Sequence, residues 1–135
     1  MATTQKTRLT EHFTLEEFIN SPTSKALNID NTPPVEYLNN IKYVAYLLEL
    51  IRKRARVPIR ISSGYRCPPL NKAVGGKIAS RHLFGLAVDI NQGSVGANLY
   101  LYSILSNLYD LFDMHELYIA DDFTYIHISF NYLTF

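Results

Sequence analysis

The sequence predicts one α+β domain, with N-terminal helices packed on a small, mostly antiparallel sheet. Its 135 residues are the size of an ordinary domain. Hydrophobic residues make up 47% and charged residues 19%, which supports a packed core and argues against disorder. Helical patterns come first along the chain and most strand patterns follow, without a repeat or linker. We therefore expect a disordered tail over residues 1–8 and a single domain over 9–135.

The first elements are short helices with recognisable ends. Thr14 and Glu17 form a capping-box pattern, which predicts a helix that carries Phe18 inward. A second helical turn is expected around residues 23–27. The prolines that follow interrupt the chain, and Pro34 suits the first turn of the next helix.

The longest predicted element is a helix from Pro34 to Ala55. Its apolar residues recur at helical spacing and mark one buried face: Leu38, Ile41, Val44 or Ala45, Leu48 and Ile51. Basic residues crowd its end, at Arg52, Lys53, Arg54 and Arg56. They could bind an anionic polymer, but we favour their interaction with the negative end of the helix dipole.

The second half of the chain predicts shorter elements. Residues 59–62 alternate like a half-buried strand. Residues 63–81 are rich in glycine, proline and small polar residues, which predicts a loop with one turn near 70–74. We then expect a strand over 86–90, a helix over 97–109, and a hairpin of strands over 117–120 and 125–130.

The composition excludes several classes of function. Thirteen basic and twelve acidic residues leave a charge of +1, which gives no reason to expect nucleic-acid binding. A lone Cys67 allows no internal disulfide or multi-thiolate site, and we interpret it as a packed thiol. No apolar run is long enough to span a membrane, and no apolar secretory signal is visible, so we expect cytoplasmic synthesis. Ten tyrosines suit either a wet cleft or a half-buried surface.

Two histidines and one aspartate are the candidate metal ligands. His82 and Asp89 flank a transition from loop to strand, and His127 lies on a later predicted strand. Two imidazoles and a carboxylate are a common catalytic zinc set, which leaves a fourth position for water. The spacing is not that of a helical zinc motif, so taken alone it also allows hydrogen-bonded core histidines.

These segments resemble the zinc D-Ala-D-Ala carboxypeptidase and murein endopeptidase family, which has the Hedgehog/DD-peptidase fold. The family pattern Ser-x-His-x-x-Gly-x-Ala-x-Asp is met at Ser80, His82, Gly85, Ala87 and Asp89. Residues 61–76 look like the preceding strand and loop, and residues 125–130 look like the family's aromatic-x-His strand. Residues 9–18 and 28–34 resemble small phage-type and Bacteroides-type members, so the resemblance covers about residues 9–131.

The resemblance implies a zinc peptidase acting on peptidoglycan stem peptides. One Zn²⁺ bound by His82, Asp89 and His127 would polarise a water for attack on a peptide carbonyl. Arg66 matches the family's arginine that stabilises the carbonyl oxygen, although it could be an ordinary loop charge. Substrate-binding residues are expected at Arg66, Ser80, Tyr65 and Tyr125; Ser80 could equally be a turn former. The D-Ala-D-Ala and L-Ala-D-Glu bonds both remain open as the scissile bond.

The general base is where the chain departs from the family. Many members carry an acid three residues before the last histidine, at the position of Thr124 here. Other members have an acid further upstream, where this chain offers Glu116, Asp121 and Asp122. Strand alternation would put Asp121 on the side of His127, so we predict Asp121 ahead of Asp122 as the base. Both aspartates would also suit a hairpin turn.

Two alternatives to catalysis stay open. If neither aspartate reaches the water, the protein would be a non-catalytic, zinc-containing module that binds cell-wall peptide. The zinc could instead be structural and hold a loop-rich domain together. We expect a monomer with His115 on its surface, and release by a phage or prophage lysis system would bring it to the wall.

Overall fold

The structure, a computed structural model, describes residues 6–131. The described part contains five α-helices and four β-strands: α1 (Leu15–Ile19), α2 (Pro22–Ala26), α3 (Val35–Ala55), β1 (Ile61–Ser63), α4 (Pro68–Ala73), β2 (Ala87–Ile90), α5 (Val95–Leu108), β3 (Met114–Ile119) and β4 (Ile126–Phe130). A 3₁₀ turn over Arg81–Phe84 lies between α4 and β2. This arrangement confirms the predicted α+β class.

The predicted N-terminal helices are confirmed, with small shifts at their ends. Thr14 caps α1 through the predicted capping box, and Phe18 is buried. Pro34 precedes α3 as its N-cap instead of lying in its first turn. Arg56 ends α3 in the left-handed conformation, and its N–H donates to the carbonyl of Arg52.

One face of α3 supplies the centre of the hydrophobic core. Its fully buried residues are Ile41, Val44, Ala45, Leu48 and Ile51, as the periodicity predicts. Leu38 is only partly buried, one turn before the fully covered part of the helix. The core continues to the apolar side chains of β2 and β4, where Val88, Ile90, Ile126 and Ile128 are completely buried.

The four strands form one antiparallel sheet in the order β1-β2-β4-β3. The hairpin of β3 and β4 is confirmed, but β3 begins at Met114, three residues before the predicted start at 117. All five residues of β4 are buried, because this strand lies between two others. The inner strands β2 and β4 therefore offer the most firmly held positions for a site.

Other boundaries differ from the sequence prediction. The predicted strand at 59–62 lies at Ile61–Ser63, and the turn expected near residues 70–74 is the short helix α4, Pro68–Ala73. Helix α5 starts at Val95, because Ser94 caps it by accepting a hydrogen bond from the backbone N–H of Ala97. The early start includes Gly96, a poor helix former that the periodicity analysis left outside.

Most of the expected N-terminal tail, residues 1–5, lies outside the described residues. At the end of that predicted tail, Arg8 forms an isolated antiparallel bridge with Thr14. Among the described helices, none is long and apolar enough to cross a membrane.

Candidate metal centre

The candidate ligands meet on one face of the sheet. Asp89 on β2 is the direct cross-strand partner of His127 on β4, and His127 is also paired with Tyr118 on β3. Directly paired residues in antiparallel strands present their side chains on the same face. His82 comes from the 3₁₀ turn before β2. The ligand atoms of His82, Asp89 and His127 all lie within 4.8 Å of one another.

A tightly packed turn positions His82. The Ser80 hydroxyl begins the turn by accepting a hydrogen bond from the N–H of His82 at 3.2 Å. Gly85 ends it at φ 74°, in the left-handed region that favours glycine. A methyl group at Gly85 would lie 2.8 Å from a side-chain carbon of Ile41 and 2.9 Å from the carbonyl oxygen of Tyr37. Only glycine therefore lets the turn press this closely against α3.

The proton position on His82 follows from its partner. His82 is 1% exposed, and its Nδ1 lies 2.6 Å from the carbonyl oxygen of Gly64. A carbonyl only accepts hydrogen bonds, so Nδ1 carries the hydrogen. In the neutral ring, Nε2 then has a lone pair, and this atom lies 3.3 Å from Oδ1 of Asp89.

His127 has the opposite arrangement of ring nitrogens. Its Nε2 lies 3.2 Å from Oε1 of Glu116, and its Nδ1 lies 2.9 Å from Oδ1 of Asp89. Because the carboxylate of Glu116 accepts, Nε2 carries the hydrogen in the neutral ring and Nδ1 has the lone pair. The ring of Tyr118 stacks on the imidazole, with centroids 4.8 Å apart and planes 16° apart.

The three side chains fit a divalent metal ion. Two imidazole nitrogens and a carboxylate oxygen converge, and a divalent cation between them would satisfy all three. Burial opposes ionisation of Asp89, but the neighbouring imidazole rings of His127 and His82 outweigh it and hold the pKa of this carboxyl far below its ordinary value. Nitrogen and oxygen donors in this combination suit Zn²⁺, and both histidines have the polar partners typical of metal ligands.

Arg66 lies beside this group, as the resemblance implied. Its Nη2 is 4.0 Å from Oδ2 of Asp89, and its side chain is 15% exposed. Burial lowers the pKa of Arg66, and the negative charge of Asp89 works against that shift. The guanidinium is therefore a partly desolvated cation next to the candidate ligands.

A cleft of about 570 Å³ opens over the candidate ligands. It is lined by all four residues expected to bind substrate: Tyr65, Arg66, Ser80 and Tyr125. Polar residues that sequence analysis did not assign to the site also line it, among them Asn20, Ser21, Lys77 and His115. His115 is exposed, as expected, but it lies at this cleft and contacts Arg81.

The structure does not bring Asp121 or Asp122 to the cleft. Both are exposed and lie in the turn between β3 and β4, where Phe123 has a φ of 62°. The Asp122 side chain accepts hydrogen bonds from the backbone N–H and hydroxyl of Thr124, which lower the pKa of its carboxyl. Strand alternation from His127 back to Asp121 was wrong, because β4 begins only at Ile126 and the turn breaks the alternation.

Glu116 is the carboxylate that lies at the cleft instead. It is the cross-strand partner of Ser129, two residues after His127, and therefore shares the face of the ligands. Sequence analysis named Glu116 as a possible acid but did not place it on a strand, because β3 was predicted to start at residue 117. A strand starting at Met114 would have put Glu116 and Tyr118 on one face.

Comparison with known families places most of the chain in one family. The Peptidase M15 family model matches residues 11–129, a range that contains the three candidate ligands, Arg66 and Glu116. Among curated proteins, no sequence matches the chain.

Proposed function

Because this chain belongs to the Peptidase M15 family, we propose that it is a zinc metallopeptidase that hydrolyses peptidoglycan stem peptides. Family membership by itself supports a peptidase with a peptide substrate. We propose in addition that the enzyme depends on zinc and that its substrate is the peptide of the cell wall. One observation carries it: His82, Asp89 and His127 direct two lone pairs and a carboxylate toward one point under the cleft. The target is the D-Ala-D-Ala or the L-Ala-D-Glu bond.

The ligands His82, Asp89 and His127 would hold the metal ion. When bound, Zn²⁺ supplies Lewis-acid activation of water and of the peptide carbonyl. Arg66, fixed beside Asp89, stabilises the negative charge that develops on the carbonyl oxygen. Tyr65 and Tyr125 provide apolar rings with polar tips along the cleft, which suits the backbone of a bound peptide.

Glu116 is the proposed proton carrier. Among the described residues, Asp89 and Glu116 are the carboxylates that line the cleft, and Asp89 is a proposed ligand. The side chain of Glu116 is 47% exposed, so it can exchange protons with solvent between turnovers. A carboxylate has two oxygens, so Oε1 can keep its contact with His127 while Oε2 would accept a proton released into the cleft.

The position of Glu116 also favours a second candidate function, a non-catalytic module that binds cell-wall peptide. Oε1 of Glu116 contacts Nε2 of His127, whereas Nδ1 of the same ring faces Asp89. If Glu116 serves only to orient His127, no cleft carboxylate of the described chain remains to accept a proton. The protein would then hold zinc and peptide without turnover.

Hydrolysis of defined stem peptides tests the proposal. Zinc-loaded protein is incubated with peptidoglycan fragments, and products are identified by mass spectrometry, before and after chelation and zinc repletion. We expect a product whose mass names the bond, and its loss in His82→Ala. His12→Ala is the matched control, because His12 contacts Glu49 and does not line the cleft.

The outcomes separate the two candidates. A product that His82→Ala also forms would come from a contaminant and count against the peptidase. Zinc-dependent binding of the peptides without any product would establish the binding module instead. Neither product nor binding would reject both functions.

A further inference from the structure

Asn71 is a buried polar residue on the short helix α4, where its neighbour Leu70 is also buried. It is 5% exposed, whereas Lys72 and Ala73, which follow it on α4, are exposed. A buried amide is stable only when its donors and acceptor find partners. Asn71 was not singled out by the sequence, and its partners connect two walls of the cleft.

The orientation of the Asn71 amide is fixed by its hydrogen bonds. Nδ2 donates to the carbonyl oxygen of Lys77 at 2.9 Å. Since that carbonyl can only accept, the NH₂ group faces it and Oδ1 points elsewhere. Oδ1 accepts a hydrogen bond from Nη1 of Arg66 at 3.4 Å.

The loop after α4 closes on this contact from the other side. The backbone N–H of Gly76 donates to the carbonyl of Asn71 at 2.8 Å. A methyl group at Gly76 would lie 2.0 Å from Oδ1 of Asn71 and 2.9 Å from Nη1 of Arg66. The loop, Asn71 and Arg66 are therefore packed as one unit, and only glycine fits at position 76.

Arg66 is held between two acceptors. One end of its guanidinium contacts Asn71, and the other end, Nη2, lies 4.0 Å from Oδ2 of Asp89. A close arginine–carboxylate pair has a separation of about 2.8 Å, so this pair is not closed. Because both groups are largely buried, their attraction is weakly screened and would pull them together without a competing acceptor.

We propose that Asn71 is a positioning residue that holds the guanidinium of Arg66 away from Asp89. The carboxylate then remains available as a metal ligand, and the guanidinium remains directed at the substrate. The inference rests on the proposed function in taking Asp89 as a ligand, but it makes a claim about metal binding that needs no turnover.

Zinc affinity tests the inference, measured with zinc alone by competition against a chromogenic chelator. We expect Asn71→Ala to weaken zinc binding about tenfold, the usual size for a lost partner around a ligand. Arg66→Ala should not weaken it, and the double variant should bind zinc as Arg66→Ala does, because Asn71 acts through Arg66. Lys72→Ala, an exposed neighbour on α4, is the matched control.

A second variant guards against misfolding of Asn71→Ala. Gly76→Ala displaces the same contact from the loop side and should weaken zinc binding unless Arg66 is also removed. Gly96→Ala is its control, because a methyl group at Gly96 meets no atom within 4 Å.

The inference fails if Asn71→Ala binds zinc as the parent does, or if it weakens binding equally with and without Arg66. The second result would mean that Asn71 only supports the loop. Because no substrate is used, these results are independent of whether stem peptides are hydrolysed. If stem peptides are not hydrolysed but the effect of Asn71→Ala on zinc affinity still depends on Arg66, the peptidase is rejected and this inference stands.

Discussion

The two histidines of the candidate metal centre are held in different ways. His82 lies in a turn, and its outer nitrogen binds a backbone carbonyl, that of Gly64. His127 lies on an inner strand, and its outer nitrogen contacts the side chain of Glu116, which is 47% exposed on the edge strand β3. Both rings face the same oxygen of Asp89.

This difference separates what the fold determines from what individual side chains determine. A backbone partner cannot be removed by substitution, so the orientation of His82 depends on the path of the chain through Gly64. The orientation of His127 depends on Glu116 and on the stacked ring of Tyr118, which evolution or mutagenesis can exchange. Changes that disturb the orientation of His82 should therefore also destabilise the fold. Changes that disturb the orientation of His127 should leave the fold stable.

The largest effect should come from disturbing the backbone under His82. A methyl group at Gly64 would lie 2.5 Å from the carbonyl oxygen of Phe18 in α1, a backbone atom that cannot turn aside. We expect Gly64→Ala to lower the free energy of unfolding by about 2 to 3 kcal/mol. The displaced carbonyl should also weaken zinc binding by more than about tenfold.

Urea unfolding and chelator competition on the same preparations measure both quantities. Gly96→Ala serves again as the control, since it adds a methyl group where there is room. If Gly64→Ala binds zinc normally while losing stability, the backbone carbonyl does not orient His82, and the proposed contrast between the histidines disappears.

An intermediate effect is expected on the His127 side, from Glu116. Glu116→Ala removes the acceptor of the Nε2 hydrogen and should weaken zinc binding by about 10- to 100-fold. The free energy of unfolding of the metal-free Glu116→Ala variant should change little, because the side chain of Glu116 is half exposed. The amide oxygen of Glu116→Gln can still accept that hydrogen, so zinc binding should stay close to that of the parent.

Turnover then distinguishes the two roles of Glu116. A general base contributes about 100-fold or more, and an amide cannot take the proton. Glu116→Gln should therefore retain zinc and lose hydrolysis. A glutamine variant with full hydrolysis would assign Glu116 to orientation alone, and loss of zinc in both variants would show that charge, not the hydrogen bond, is what His127 requires.

The sequence predicted the regular parts of the fold because their patterns are local. The 21-residue helix α3 follows from periodic apolar residues, and α1 follows from its capping box. The candidate ligands and Arg66 were named from motifs, and the structure places all four at one cleft. None of these predictions required knowledge of a turn conformation or of packing between distant segments.

The proposed general base, Glu116, could not be predicted reliably because its place at the cleft depends on strand register. Asp121 and Glu116 are both near the hairpin, and their faces depend on where β4 begins and on an irregularity in pairing between Met114 and Glu116. A shift of one residue moves a side chain to the other face of a sheet. Asn71 was missed for a related reason, since its burial arises from a loop that folds back on α4.

The smallest effect lies outside the metal centre and tests whether stability and metal binding are separable. Glu49 on α3 accepts hydrogen bonds from the Thr10 hydroxyl and from the backbone and ring of His12, which attach the N-terminal segment to the helix. Burial opposes ionisation of Glu49, but the hydrogen bonds from His12 and Thr10 outweigh it and hold its pKa below the ordinary 4.5.

A lowered pKa means that the unfolded chain binds more protons than the folded chain below about pH 4.5, so this stabilisation is present above that pH and is lost on acidification through the folded-state pKa. Glu49→Gln should lower the free energy of unfolding by about 1 kcal/mol at pH 7. The difference from the parent should shrink toward pH 3 in urea unfolding. Zinc binding at pH 7 should stay normal, because Glu49 contacts neither histidine of the centre.

A difference in the free energy of unfolding between variant and parent that stays constant with pH would show that the contact does not depend on the charge of Glu49. Weakened zinc binding would show that the two histidines depend on parts of the fold that they do not touch.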